Sequence, residues 1–172
     1  LWDMASNLQA AAPISAREQV WTSALRLGEK YQFDREHAEL VSYLAGRLFD
    51  QSQDLHELDD ENKLLLEVAA LLHDIGHFIN TVDHHKHGYY ILKANPLIGL
   101  TEERQNIVAN IIQYHRKATP SLQDDNFRSL HPKDRLVVIK LSALMRLADG
   151  LDVSHTGRVK DIKLEEQKNT WK

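Results

Sequence analysis

The chain has 172 residues, 42% of them apolar and 27% charged, with a formal charge of −4, ten histidines and no cysteine. That is enough chain for one domain with its own core, and the net negative charge argues against a protein that coats nucleic acid. The absence of cysteine excludes disulfide frameworks and thiolate metal sites. No apolar run approaches the roughly 18 residues needed to cross a bilayer, and no secretory leader is evident. No membrane association and a cytoplasmic location are the resulting expectations, with histidine as the informative excess. The chain starts at Leu1 rather than Met, which fits a fragment or a processed product.

The pattern is a succession of helices. After an N-terminal extension (1–14), "ISAREQVWTSALRLGEKY" carries Ser15 and Glu18 at the spacing of a capping box. "FDREHAELVSYLAGRLFDQ" starts after Asp34, a good N-cap, and repeats Leu40, Val41, Leu44, Leu48 and Phe49 at helical spacing. "DLHELDDEN" reads as a solvated acidic loop leading into a helix N-terminus, where negative charge is favoured. The next helix, from about Glu61 to Ile75, is apolar on nearly every side after Lys63, the mark of a buried helix, and Gly76 is its expected stop. "HHKHGYYILKAN" is a further helix closed by Asn95-Pro96. "LTEERQNIVANIIQYHRK" is another, capped by Thr101. "ATPSLQDDNFRSLHP" is a long loop of the kind that often carries function. "KDRLVVIKLSALMRLADGLD" is the last long helix, ending near Asp149-Gly150. "RVKDIKLEE" alternates weakly, as a strand would, in a terminal segment (159–172). Residues 15–158 then form one all-α helical bundle, with at most a short terminal β segment.

Within that frame, "VAALLHDIGHFIN" (Val68–Asn80) sets His73 and Asp74 side by side at the end of the most apolar helix. Buried carboxylates are normally paired or bound to metal; a helix cap or a simple His–Asp bond is the plainer alternative. His37, in the middle of its helix on the face of Leu40, Val41 and Leu44, is by itself an ordinary core histidine. Asp149 closes another apolar helix, where its charge opposes the helix dipole and a cation would resolve the conflict. Together these four are a nitrogen–oxygen ligand set without sulfur, suited to Mn, Fe, Mg, Co, Ni or Zn and leaving positions open for water. His87, at the head of "HGYYIL", and His115, at the end of "NIIQYH", would extend the set to a second ion, as two-metal phosphoryl sites require. Charge developing on phosphoryl oxygens needs cations, and Arg146, Arg116, Lys117 and Lys86 lie near these ligands in sequence. Each is otherwise a surface charge. His77, four residues after His73, reaches a leaving oxygen if the helix continues that far. Asp74 and His77 are therefore the candidate catalytic residues.

The order His37, His73-Asp74, Asp149 resembles the HD phosphohydrolase superfamily. More closely, "FDREHAELVSYLAGRLFDQ", "AALLHDIGHFIN", "HHKHGYYILKAN", "LTEERQNIVANIIQYHRK" and "LVVIKLSALMRLADGLDVSHTGRVKDIKL" resemble, in order, the C-terminal HD-like domain of the exopolyphosphatase and guanosine pentaphosphate phosphohydrolase (Ppx/GppA) family. The resemblance implies an HD-domain helical bundle holding one or two divalent metal ions, with His87 and His115 at positions that ligate the second. It implies a phosphohydrolase acting on a phosphorylated small molecule or polyphosphate, and an N-terminal actin-like catalytic domain in full-length relatives. A regulatory module that binds polyphosphate or a nucleotide without hydrolysis is the alternative. A structural or dimerisation domain, compatible with a homodimer, ranks last because it leaves the polar pairs at apolar helix ends without a reason. A nucleic-acid polymer is not an expected partner, since "YHRK" is too small a basic cluster.

Overall fold

A computed structural model describes residues 14–167, 170 and 171. The expected N-terminal extension lies outside the described residues apart from Ile14. The helices are α1 (Ala16–Lys30), α2 (Arg35–Gln51), α3 (Gln53–His56), α4 (Asp60–Leu72), α5 (His84–Ala94), α6 (Glu102–Tyr114), α7 (Asp125–Arg128) and α8 (Pro132–Leu151). A 3-10 turn, Ile75–Phe78, follows α4. The bundle is all-α, as the periodicity predicts.

Local chemistry sets the helix starts. Ser15 and Glu18 form the reciprocal capping box of α1, and the side chains of Asp34, Asp59 and Thr101 accept backbone N–H groups at the starts of α2, α4 and α6. The α4 run Leu65, Leu66 and Val68–Leu72 is wholly buried. A helix apolar all round can sit only at the centre, and α4 is packed by α1, α2, α6 and α8. The acidic linker before α4 contains the one-turn helix α3 rather than open loop. His56 at its end is buried against the Phe49 ring and bonds the Phe49 carbonyl (2.8 Å).

Three further details differ from the sequence expectation. The long loop after α6 contains α7, and Phe127 and Leu130 bury it, while Asn126 donates to Asn110 (2.7 Å) and Tyr114 to Asp124 (2.8 Å). Its contacts run to the bundle wall, not to the histidines. Residues 158–165 form no strand. The Gln51 side-chain amide stands in for a neighbouring strand, donating to the Ile162 carbonyl (3.0 Å) and accepting from the Leu164 N–H (2.8 Å). β structure appears only as the antiparallel pair β1 (Glu166–Gln167) and β2 (Thr170–Trp171). Finally, α4 stops at Leu72 with His73 as its C-cap, before Gly76.

Gly76 has another task. A Cβ there would lie 1.9 Å from the His84 carbonyl oxygen and 2.6 Å from the Gly88 nitrogen, so the 3-10 turn and α5 meet backbone to backbone. Because backbone cannot swing aside, Gly76→Ala is expected to cost upward of about 3 kcal/mol and to displace α5. A urea melt of the variant against wild type measures the loss, and a midpoint within experimental scatter of wild type would contradict the close approach.

Candidate metal centre

The site lies where α4, α6 and α8 end and α2 and α5 begin. His73 and His115 are the C-caps of α4 and α6. Asp149 lies in the last turn of α8. His84 opens α5, and His37 is the third residue of α2, not a mid-helix residue, because the chain turns into the helix only after the Asp34 cap. Three helix C-termini carry partial negative charge toward one point, and Asp74 and Asp149 add two carboxylates.

The four buried imidazoles that face one another here, His37, His73, His84 and His115, are oriented alike. Nδ1–H of His73 donates to the Ala70 carbonyl (2.7 Å), that of His115 to Ile112 (2.7 Å) and that of His84 to Thr81 (3.0 Å). In His37 it donates to the Asp152 carboxylate (2.9 Å). Carbonyls and carboxylates only accept, so every Nδ1 carries the proton and every Nε2 of a neutral ring presents a bare lone pair. These nitrogens face one another: His37 and His73 Nε2 are 3.3 Å apart, His84 and His115 Nε2 3.2 Å. Oδ1 of Asp74 and Oδ1 of Asp149 are buried with no hydrogen-bond partner. Lone pairs and orphaned carboxylate oxygens crowded in this way require positive charge between them.

Asp74 divides the cluster. Its Oδ2 faces His73 Nε2 (3.3 Å) and His37 Nε2 (3.9 Å), which also face Asp149 Oδ1 at 3.6 and 3.9 Å. Its Oδ1 faces Nε2 of His84 (3.3 Å), His77 (3.5 Å) and His115 (3.7 Å). Ligand atoms held at about 2.0–2.2 Å from a common ion sit roughly 3–4 Å apart, the wider separations at wider ligand angles, so both groups could hold divalent cations, with Asp74 reaching each.

The electrostatics point the same way. Burial lowers the pKa values of His37, His84 and His115, the last to about 3, where the neighbouring His73 adds to the effect. Burial also opposes charge on His73, but Asp74 and Asp149 outweigh it and lift the ring to about 10. The Asp74 and Asp149 carboxyls are raised by burial, but His73 more than offsets this and holds both well below the usual range. A proton on His73 supplies part of the charge that the carboxylates demand.

The remaining expected residues divide. His77 does not continue α4; the 3-10 turn brings it to Asp74 and stacks it on His84 with ring centroids 4.0 Å apart. Arg116 Nε bonds Asp149 Oδ2 (3.1 Å). His87 is not brought to the cluster; His84, one turn earlier on α5, stands there. Arg146 also points elsewhere, its guanidinium donating to the Ala118 (3.1 Å) and Lys117 carbonyls that follow α6. Lys86 and Lys117 both pair with Asp83.

Sequence reasoning missed His84, Asp152 and His155. The triplet of histidines in "HHKH" gives no spacing that selects His84. Asp152 does have a signal, lying three residues past Asp149 and so on its helix face. His155 had none beyond its residue type. It stacks on His37 (centroids 3.6 Å, planes 12° apart), bonds Asp34 (3.0 Å) and lies 3.8 Å from Asp74. Partners that orient a ligating histidine are typically worth about 10–100-fold in metal affinity. Asp152→Ala is therefore expected to weaken metal binding in that range, read by titration with a chelator-buffered metal; an unchanged affinity would exclude Asp152 from this role.

An adjoining open cavity of about 380 Å³ is lined by Asp74, His77, His155 and Arg116 together with Tyr31, Phe33, Phe78 and others. A larger cleft of about 450 Å³, around Trp21, Tyr43 and Glu67, holds no part of the histidine cluster.

The chain matches the family described as Ppx/GppA phosphatase, domain III, over residues 21–172. The chain belongs to that family. Ppx/GppA relatives include the guanosine-5'-triphosphate,3'-diphosphate pyrophosphatase of Pseudoalteromonas atlantica, 30% identical over 147 residues, which is 84% of this chain and 28% of that protein. The proteins of the same name from Pseudoalteromonas translucida (29% identical; 83% of this chain, 30% of that one) and Vibrio parahaemolyticus (30% identical; 67% and 24%) are similar too. The chain thus spans under a third of the length of these Ppx/GppA relatives. Among the described residues no helix is long and apolar enough to cross a membrane.

Proposed function

We propose that this Ppx/GppA domain is itself a metal-dependent phosphohydrolase of the HD type, cleaving a phosphoester or phosphoanhydride with water. The observation that carries the reading is the convergence of four Nε2 atoms, three of them bare and that of His73 protonated while no ion is bound, on two carboxylate oxygens that lack any partner. His37, His73, Asp74 and Asp149 would hold one divalent ion, and Asp74, His84 and His115 a second. Bound there, such ions lower the pKa of water toward about 7 from 15.7 and offset phosphoryl charge. The chain's own residues do the rest. Asp74 joins the two groups, Asp152 fixes the tautomer of His37, and Arg116 sets a guanidinium at the cavity edge where phosphoryl oxygens need a cation. His77 and His155 stand at the mouth, within reach of a leaving oxygen.

The similar relatives are named pyrophosphatases of a guanosine polyphosphate; that name supports phosphorus–oxygen hydrolysis as the reaction class. Because this chain matches only a fraction of them, a non-catalytic module that binds a nucleotide or polyphosphate remains the second reading. One experiment separates the two. The purified chain is analysed for metal, then assayed with phosphomonoesters, phosphodiesters and nucleotides in Mn²⁺, with and without EDTA. Turnover abolished by EDTA supports the enzyme; ligand binding that survives EDTA without hydrolysis supports the module.

A further inference from the structure

The cavity in front of the cluster is lined by two kinds of residue. Asp74, His77, His155 and Arg116 are polar. Tyr31, Phe33, Phe78 and Val153 supply apolar wall. Tyr31 and Phe78 meet edge to face, ring centroids 5.3 Å apart and planes at 89°, so the wall offers a fixed aromatic corner. Phe78 is 52% exposed and Val153 61%, a large apolar surface left toward solvent at the mouth of a polar site. At about 380 Å³ the space falls in the range of small-molecule sites.

Its charge is equally selective. Among the described residues Arg116 is the only guanidinium or ammonium lining it, and Asp149 already engages that group. Asp34 also lines it, bonded to His155. Lys86 and Lys117 are held by Asp83 outside the lining, and Arg146 is turned to backbone carbonyls. A polyphosphate chain extending from the cluster would meet aromatic rings and a carboxylate, with no run of cations to match it.

We infer that the substrate is a phosphomonoester whose leaving alcohol bears a flat ring, of the size of a nucleoside monophosphate, with the ring against the Tyr31–Phe78 corner and the single phosphoryl group at the cluster. The inference rests on the phosphohydrolase reading for its reaction but not for its binding surface. Hydrolysis breaks the phosphorus–oxygen bond to the alcohol, water supplies the new oxygen on phosphorus, and a water proton leaves with the alcohol. Aromatic stacking of a base is typically worth about 1–3 kcal/mol, or roughly 5- to 150-fold.

The test compares adenosine 5'-monophosphate, ribose 5-phosphate and inorganic tripolyphosphate in Mn²⁺, for wild type and Phe78→Ala. Phe78 is exposed, so the variant should fold, and a thermal melt checks it. The expected result is a preference in kcat/KM of roughly tenfold or more for the nucleotide over the other two, with the nucleotide-to-sugar-phosphate ratio collapsing toward one in Phe78→Ala. Equal or better use of tripolyphosphate or ribose 5-phosphate overturns the inference, as does a ratio unchanged by the substitution. If no phosphoester is turned over, the phosphohydrolase reading fails, and the aromatic site is judged separately by saturation-transfer NMR with adenosine in EDTA. A transfer signal that Phe78→Ala removes upholds the ring site; no signal in wild type overturns it.

Discussion

Asp74→Asn is expected to leave at most one weakly held ion per chain and to slow phosphoester hydrolysis by roughly 10³-fold or more, beyond the 10–100-fold typical of a residue that only orients a ligand. The reason is its position. Its two oxygens face different groups of nitrogens, so one substitution weakens both groups, whereas Asp149→Asn touches only the His37–His73 side and should spare the other ion. Elemental analysis of the two variants beside wild type, with turnover measured on the same samples, checks this. Full metal content or wild-type turnover in Asp74→Asn would remove it from the centre of the site.

Stripping the metal should be the second large effect. Ions present at a hundred times their dissociation constant stabilise a fold by about 2.7 kcal/mol each, which for a chain of this size is a fall in Tm of roughly 5–10 °C on adding chelator. The metal-free protein should also respond to pH on both sides of neutrality. Burial keeps His37, His84 and His115 neutral in the fold, whereas the unfolded chain protonates them near pH 6.5. Below that pH the unfolded state therefore binds more protons, and stability falls as pH falls. His73 runs the other way. Its raised pKa of about 10 contributes stability that is complete below about pH 6.5 and lost between there and 10. Three rings act in this way on the acid side and one on the alkaline side. Since a bound ion must displace the His73 proton, metal affinity should rise with pH and binding should release protons. Calorimetry in two buffers of different ionisation enthalpy counts them, and proton-free binding would show that His73 is not a ligand.

The helices were legible in the sequence because caps and apolar spacing are local signals. Asp34, Ser15 and Thr101 mark their helix starts as predicted, and α4, largely apolar after Lys63, is central as that pattern demands. What could not be read is what backbone proximity decides. Gly76 was expected as a helix stop, but its lack of a Cβ serves the approach of α5, and that approach puts His84 rather than His87 beside Asp74. Arg146 sits three residues before Asp149, yet the open carbonyls beyond α6 capture its guanidinium. Neither choice depends on spacing along one helix; both depend on which neighbouring chain end lies nearby. The terminal segment illustrates the same limit, since the alternation of "RVKDIKLEE" suggests a strand but its backbone is paired with a side chain, Gln51.

The orientation of the imidazoles has a consequence for how this cluster can change over generations. Three of the rings are aimed by carbonyls of their own chain three residues earlier, at Ala70, Thr81 and Ile112, and no substitution deletes a peptide oxygen. Only His37 is aimed by a replaceable group. Drift or laboratory selection that retunes the cluster while keeping its ligands therefore has one accessible dial, Asp152, and the aim of the other three rings is inherited with the helices themselves.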